Sequence, residues 1–265
     1  MRKVVAIAAG ALATTPLLAI AAPAAQAQGA QLNFVHAMTY DFPTEPFPLT
    51  LCVDDVVIDS DVVVGEVISI DVDAGTRNVE VFQGVVADCA AAPFQQLDTP
   101  VGAAEDVTVV GFWGETQGLT SFVNDTACVQ PGEARFSAFQ AGDVSLANTT
   151  DVATGPAMTA NLATLFTDLG SAEIATADIT AEALDVLFVV PGADPNVGPY
   201  YGEVAGLDVT AGQAVVVFLA GGNDGESGAF SISTTLPECP PSTTTTAAPT
   251  TTTAAAAVVT PAFTG

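Results

Sequence analysis

His36 is the only histidine of the 265-residue chain, and it stands within the largely apolar run QLNFVHAMTY at residues 31–40. A histidine can act as a general base or as a metal ligand. A serine–histidine–aspartate set would need this imidazole beside an activated serine, and the sequence lacks the Gly-x-Ser-x-Gly turn that commonly presents one. A zinc site would need several histidine or cysteine ligands. We therefore interpret His36 as a structural residue at the end of a strand.

The four cysteines, Cys52, Cys89, Cys128 and Cys239, suit disulfide bonds better than a metal site. An even number of cysteines in an exported chain is typical of a disulfide framework. Of the three pairings that four cysteines allow, we favour Cys52–Cys89 and Cys128–Cys239. The first pair lies inside one sequence repeat and the second pair brackets the next. These are the only site residues that we assign: no catalytic, cofactor-binding or metal residue is predicted, and no cofactor is expected.

Acidic residues cluster in three stretches: VDDVVIDSD at 53–61, DVDAG at 71–75 and GGNDGESG at 221–228. Hard cations such as calcium take oxygen ligands from loops of this kind. None of the stretches has the spacing of an EF-hand, and the third resembles a hairpin turn in which Asn-Asp-Gly supplies positive φ. Weak calcium binding is an alternative to the simpler interpretation of a solvated acidic surface.

Aromatic residues offer one more kind of chemistry, the stacking of a sugar ring. Trp113, with Phe112, Tyr200 and Tyr201, could form such a platform. Trp113 stands in an apolar, strand-like run, so packing in the core is the favoured interpretation. A carbohydrate-binding module remains the alternative. Carboxylate pairs for glycoside hydrolysis need a defined separation, which a sequence does not display.

Residues 1–27 are predicted to be a secretory signal. Arg2 and Lys3 precede an apolar stretch, and Ala25-Gln26-Ala27 fits the small-x-small cleavage rule. The full chain has a formal charge of −26. Without the signal, two arginines remain against 30 acidic residues, a formal charge of about −28. So acidic a chain excludes nucleic acids and anionic membrane surfaces as partners. We expect a secreted, extracellular or cell-surface protein with no membrane insertion after the signal is removed.

Short apolar runs rich in Val and Ile recur about every ten residues between positions 29 and 238, separated by Gly, Asp, Asn and Pro. This pattern predicts an all-β fold of two tandem immunoglobulin-like antiparallel β-sandwich modules. Residues 159–173 also fit a short helix, because Leu162, Leu165, Phe166 and Leu169 have helical spacing. We favour a strand and a turn there, since the repeat aligns this segment with a strand.

The repeat spans about 100 residues. GAQLNFVHA (29–37) aligns with GEARFSAFQ (132–140), and VTVVGFWGETQGLTSFVND (107–125) aligns with VVVFLAGGNDGESGAFSIST (215–234). We predict a signal at 1–27, a first module at 28–129 and a second module at 130–239. Residues 240–265 are mostly Thr, Ala and Pro, which predicts a disordered low-complexity tail.

LNFVHAMTYD, LTLCVDDVVI, GEVISIDVDAGTRNVEVF and DVTVVGFWG resemble the bacterial family called domain of unknown function 4397. Its pattern falls on Val35-His36-Ala37, Val53-Asp54, Ala74-Gly75 and Ala211-Gly212-Gln213. The chain departs from it where Asp55 replaces a hairpin glycine, Ala104-Glu105-Asp106 replaces Ala-Gly-Gln, and Ala138-Phe139 replaces the histidine-containing pair. The resemblance covers about 28–238. It implies secreted or surface-exposed β-sandwich modules of unknown role and supplies no catalytic residue.

These observations predict a non-catalytic exported or cell-surface protein, an adhesion or interaction module. Its partner is expected to be an extracellular protein or polysaccharide that the sequence does not identify. A carbohydrate-binding module is the first alternative. A secreted hydrolase, which would need a deep pocket holding His36 or two facing carboxylates, is the second.

Overall fold

The computed structural model describes residues 29–38, 48–113, 117–142, 149–159, 161–221 and 227–240. The predicted signal, almost all of the Thr-rich tail and the centre of the acidic stretch at 221–228 lie outside the described residues. Within these ranges every regular element is a β-strand and no helix is present, so the all-β prediction is confirmed. The strand expected within 159–173 is also confirmed, as β11 below.

The first half of the chain forms eight strands: β1 (Ala30–His36), β2 (Leu49–Val53), β3 (Val56–Val62), β4 (Val67–Val72), β5 (Gly75–Gln83), β6 (Gln95–Val101), β7 (Asp106–Trp113) and β8 (Gln117–Val123). The second half forms eight more: β9 (Glu133–Gln140), β10 (Thr149–Pro156), β11 (Ala163–Gly170), β12 (Ile174–Thr180), β13 (Ala183–Val189), β14 (Tyr200–Asp208), β15 (Gln213–Gly221) and β16 (Ser227–Thr235).

Each half builds two four-stranded sheets, and the two halves have the same topology. The first half has the sheet orders β3-β2-β5-β6 and β4-β1-β7-β8, and the second has β11-β10-β13-β14 and β12-β9-β15-β16. Adding eight to each strand number converts the first pair of sheets into the second. Neighbouring strands are antiparallel except β1 with β7 and β9 with β15, which are parallel. Parallel strands need a long crossover, which the five intervening strands of each half supply.

Each half has its own hydrophobic core between its two sheets. In the first sandwich (β1–β8), Leu32 and Phe34 pack against Leu51, Val81 and other buried residues. In the second sandwich (β9–β16), an equivalent cluster includes Phe136, Phe188 and Val217. Successive side chains of a strand point to opposite faces of its sheet. The residues that alternate with these core residues therefore lie on the other face of the same sheet.

The sheets that contain β1 and β9 are buried on both faces, because their outer faces pack against each other. Val35 and Val110 of the first sandwich join Phe139 and Phe218 of the second in one buried cluster. The ring of Phe122 stacks on Phe139 with centroids 5.7 Å apart. The molecule is therefore four sheets deep. Burial on both faces accounts for the nearly continuous apolar runs of β7 and β15.

Loops cover the outer faces of the two outer sheets. In the first sandwich, Thr50 Oγ1 donates to Gly84 O at 2.9 Å and accepts from Val86 N at 3.0 Å. In the second, the Asp151 carboxylate accepts the N–H of Gly192 at 2.9 Å. There the loop packs on an apolar cluster that includes Ala153 and Leu187.

The structure corrects the repeat alignment at the first strand by one residue. His36 N donates to Glu66 O, and Gln140 N donates to Glu173 O in the same way. His36 therefore corresponds to Gln140, not to Phe139 as the sequence alignment had it. A slip of one residue moves every side chain of a strand to the opposite face, so Phe139 corresponds to Val35 instead.

Among the described residues one type of turn recurs four times, and in it a glutamate or glutamine side chain accepts a backbone hydrogen bond. Glu66, Glu105, Glu173 and Gln213 each accept, through a side-chain oxygen, the backbone N–H three residues earlier, at 2.7–3.0 Å. The preceding residue has positive φ and is glycine or alanine: Gly65, Ala104, Ala172 and Gly212. The first-repeat counterpart of Ala211-Gly212-Gln213 is thus Ala103-Ala104-Glu105, one residue earlier than the sequence alignment placed it.

Candidate binding cleft between the sandwiches

A polar cleft opens at one end of the contact between the two inner sheets. Its cavity has a volume of about 330 Å³. The first sandwich contributes Asn33, Ser69, Asp106 and Thr108, the connecting segment contributes Asn124 to Thr126, and the second sandwich contributes Arg135, Ser137, Val216 and Ile232. The cleft arises because each inner sheet is apolar at one end of its outer face and polar at the other.

The wall from the first sandwich is a connected set of hydrogen bonds. Ser69 Oγ donates to Asn33 Oδ1 at 2.6 Å, and Asn33 Nδ2 donates to Asp106 Oδ1 at 2.5 Å. Asn124 Nδ2 donates to the same oxygen and to Thr108 Oγ1, each at 2.8 Å. The carboxylate of Asp106 is therefore fixed in place by two amides.

Arg135 is the central hydrogen-bonding residue in the wall from the second sandwich. Its Nε and Nη2 donate to the two carboxylate oxygens of Asp178 at 2.9 and 3.2 Å. Its Nη1 donates to the carbonyls of Asp125 and Ala127, both at 3.0 Å, and lies 2.9 Å from Asp125 Oδ1. The side chain fastens the connecting segment to the second sandwich, and all three of its nitrogens are in use.

Arg77, the other arginine beyond the predicted signal, also uses all three of its nitrogens in contacts within the chain. Arg77 Nη1 lies 2.9 Å from Asp54 Oδ2, and Nε and Nη2 donate to Asp73 O. Asp54 also accepts the N–H of Asn78 at 2.9 Å. That backbone hydrogen bond, followed by the bond from Arg77, lowers the pKa of Asp54 from its ordinary value. Arg77 thus holds the turn between β2 and β3 against β5.

A second cavity, of about 240 Å³, adjoins the cleft. Both cavities are lined by Gln31 and Asp106, and the second also by Asp71 and Glu105. Gln31 pairs with Asp71 in the β1–β4 ladder and with Asp106 in the β1–β7 ladder. Neighbours across a ladder lie about 5 Å apart, so two carboxylates flank the Gln31 side chain.

His36 lies at the other end of β1, about 17 Å from Gln31 along the strand. It is fully buried, and its Nδ1 accepts the N–H of Met38 at 3.1 Å. His36 lines neither of the two cavities. The structural role of His36 stays a prediction.

The cysteines form the two predicted bonds, Cys52–Cys89 and Cys128–Cys239. The first fastens the loop after β5 to the outer sheet of the first sandwich. The second joins the connecting segment to the residues that follow β16, where Cys239 N also donates to Val129 O at 2.8 Å. Two disulfide bonds indicate an oxidising environment for folding.

The acidic stretches form no site of three or more metal-ligating side chains within the described residues. In the first stretch, Asp54 and Asp55 both have positive φ and form the two-residue turn between β2 and β3. Asp55 therefore adopts the positive φ that glycine commonly supplies in such a turn. Most of the third stretch lies outside the described residues.

The aromatic residues proposed as a sugar platform are separated in space. Trp113 is buried in the core of the first sandwich, and Phe112 packs at the contact between the sandwiches. Tyr201 packs against the core of the second sandwich; burial raises the pKa of its hydroxyl, which has no partner among the described residues. Only Tyr200 is well exposed, beside a cavity of about 500 Å³ that Asn196 and Glu203 also line.

The sequence did not predict a cleft lined by residues such as Gln31, Asn33, Ser69, Asp106 and Arg135. A signal was present, because Asn33, Ser69 and Thr108 are polar residues inside otherwise apolar strands. These polar residues can be recognised as unusual only when it is known that both faces of the inner sheets are covered.

No family model matches the chain, and no curated protein matches it. Among solved structures, the chain is similar to the Bacillus anthracis TIE protein, with a TM-score of 0.22 and 7% sequence identity. That alignment covers 75% of this chain and 34% of the TIE protein chain. No helix able to cross a membrane occurs in the described ranges.

Proposed function

We propose that the chain is a non-catalytic exported or cell-surface interaction protein that holds its ligand in the cleft between the two sandwiches. The observation that carries the proposal is the cleft itself, which combines a fixed carboxylate, amide and hydroxyl groups and an aliphatic wall of Val216 and Ile232. Ligand sites commonly combine an apolar lining with a few positioned polar groups.

The state of the potentially catalytic side chains supports an interaction role. His36 is fully buried, and Gln140, which cannot act as a general base, occupies the corresponding place in the second sandwich. Arg77 and Arg135 hold loops in place. Export is supported by the two disulfide bonds together with the predicted signal. Membership of the domain of unknown function 4397 family stays a prediction from the resemblance.

Surface plasmon resonance tests the proposal directly. The purified chain would be passed over immobilised neutral, acidic and amino polysaccharides and over extracellular proteins of low and high isoelectric point. We expect saturable binding to at least one surface. Thr234→Trp, which places a large ring at the rim of both cavities, should abolish this binding. Thr167→Trp, on the exposed side of β11, is the matched control and should leave the binding intact.

A screen of ester, peptide and glycoside substrates supplies the opposing test. His36→Gln installs the side chain that the second sandwich already carries at this place, so the fold should tolerate it. Turnover by the unmodified chain that His36→Gln abolishes would contradict a non-catalytic function and favour the hydrolase.

Carbohydrate binding is a second candidate because of Tyr200, which is 53% exposed beside the cavity of about 500 Å³. An exposed ring next to Asn196 and Glu203 could stack on a sugar whose hydroxyls bond to the polar side chains. Tyr200→Ala should then remove polysaccharide binding that Thr234→Trp leaves unchanged. The reverse result would assign the binding to the cleft.

A further inference from the structure

The two inner sheets carry matching polar pairs at the cleft, with one difference. Asn33 bonds to Ser69 in the first sandwich, and Ser137 bonds to Thr176 at 2.8 Å in the second. Two residues earlier on the first strand of each sandwich, Gln31 pairs with Asp71 and Arg135 pairs with Asp178. The repeat thus places a guanidinium group against one aspartate and an uncharged amide against the other.

The carboxylates around Gln31 are accessible from the cavity. Oδ1 of Asp106 accepts two amide N–H groups, and this residue is half-buried. Asp71 is exposed, and both aspartates line the second cavity. Beside Arg135, the strand that corresponds to β7 carries Ala214, and the second carboxylate comes from Asp125 of the connecting segment, 2.9 Å from Nη1. Each sandwich therefore has two carboxylates at this place, but only in the second does the first strand supply a cation between them.

The space that a guanidinium group would need is present. The 240 Å³ cavity lies against Gln31, Asp71 and Asp106, and it would hold about eight waters at roughly 30 Å³ each. It shares lining residues with the cleft, whose wall includes Val216 and Ile232. A cationic head could thus meet the carboxylates while its aliphatic stem lies on apolar side chains.

We propose that this cavity binds a guanidinium group of a partner, in the place that Arg135 fills within the second sandwich. This inference rests on the proposed function, since it names the partner's chemistry at the same cleft. The planar fork of a guanidinium suits a carboxylate better than an ammonium group does. The negative charge of the whole chain would also speed the approach of a basic partner. An arginine side chain on the surface of a protein is the source that the open cleft favours.

Isothermal titration calorimetry at 0.15 M salt tests the site with three probes: agmatine, acetyl-Gly-Arg-Gly-amide and the same peptide with citrulline in place of arginine. We expect one equivalent of each guanidinium probe to bind, and the citrulline peptide to bind at least about tenfold more weakly. Binding of agmatine without the peptide would identify a free small cation as the source. Equal binding of the arginine and citrulline peptides would overturn the proposal.

Two variants distinguish agmatine binding at this cavity from general electrostatic attraction to an acidic protein. Asp106→Asn should weaken agmatine binding by about tenfold, whereas Asp61→Asn removes one charge from the exposed part of β3 and should not change it. Equal affinities of these two variants would contradict the assignment.

Gln31→Arg supplies the missing guanidinium from the chain itself. It should raise the melting temperature and abolish agmatine binding, whereas Gln31→Met should do neither. If Gln31→Arg folds and still binds agmatine with unchanged affinity, the cavity is not the site. Failure of all guanidinium probes, in a chain that still binds a surface in a Thr234-dependent way, would remove this inference and leave the proposed function standing.

Discussion

His36 and Gln140 show how little the identity of a buried polar residue reveals about chemistry. Both lie at the end of the first strand of their sandwich, and both side chains are fully buried. Neither Oε1 nor Nε2 of the Gln140 side chain has a hydrogen-bond partner among the described residues. The position thus holds a hydrogen-bonded imidazole in one repeat and an amide without a partner in the other, so a histidine there does not by itself indicate catalysis.

Glu80 is a residue whose charge should destabilise the fold. Its side chain is buried on the outer sheet, and Oε2 has no partner in the described part of the chain. Burial, and then the neighbouring charge of Asp55, raise the pKa of Glu80. The native state therefore holds this proton more tightly than the unfolded state, so stability falls as pH rises from the ordinary carboxyl pKa through the raised value.

Glu80→Gln should accordingly stabilise the protein at pH 7, by about 1 kcal/mol or about 2–4 °C in melting temperature. The gain should shrink as pH falls from the raised pKa of Glu80 towards 4.5, the ordinary pKa of a glutamate, and should be largely lost below that value. Thermal melts across this pH range measure it, with the exposed Glu182→Gln as control. A gain that does not depend on pH would mean that the charge of Glu80 is not its cause.

At the scale of elements, one of the four capped turns contains Ala211-Gly212-Gln213, a segment of the pattern that resembles a family motif. In each, the side chain of a glutamate or glutamine bonds to the backbone, and the residue before it has positive φ. Glycine adopts this conformation readily, whereas alanine does so with strain. Turn geometry therefore accounts for the Gly-Glu and Gly-Gln pairs.

Ala104→Gly should stabilise the first sandwich by about 0.5–1 kcal/mol, since Ala104 is exposed and has φ 59°. The matched change Gly212→Ala, at the corresponding turn, should destabilise by a similar amount. Space is available there, because an added Cβ would lie 3.5 Å from Leu236 O, an ordinary contact. Chemical denaturation of both variants measures the two effects. Changes of the same sign would show that backbone strain does not govern these turns.

The strands could be predicted from the sequence because their alternating and apolar runs are short and well punctuated. The disulfide pairs could be predicted because the repeat places each pair around one module. The position of Phe139 could not be predicted, because β9 is buried on both faces and its pattern fits either register. The cleft could not be predicted for a different reason: its residues meet only when two sheets that are distant in sequence pack together.

The whole molecule combines a tight apolar contact with a large surplus of negative charge. Phe122, Phe139, Phe218 and Phe230 form a chain of rings across the contact, with centroids 5.2–5.7 Å apart. The two sandwiches are thereby held side by side although both are acidic. Apolar burial acts only at contact, whereas charge repulsion extends over the screening length of the solution.

Salt should therefore stabilise the protein. The screening length falls from about 30 Å at 0.01 M to about 3 Å at 1 M ionic strength. With 30 acidic residues and few basic ones, repulsion within the folded chain should weaken accordingly. We expect the melting temperature at pH 7.5 to rise steadily with sodium chloride. Calorimetric melts with sodium chloride and with millimolar calcium distinguish general screening from a specific ion. A melting temperature that is independent of salt would show that the charges are compensated locally.

The Cys128–Cys239 bond has a mechanical consequence. Cys128 precedes β9 and Cys239 follows β16, so a covalent path connects the two ends of the second sandwich without passing through it. Tension applied beyond Cys239 would reach the first sandwich through the sulfur atoms. Residues 129–238 would then bear none of that load, and pulling would not extend the second sandwich while the bond is intact. Under reducing conditions the same pull would act on its strands, adding the length of that segment to the extension at rupture.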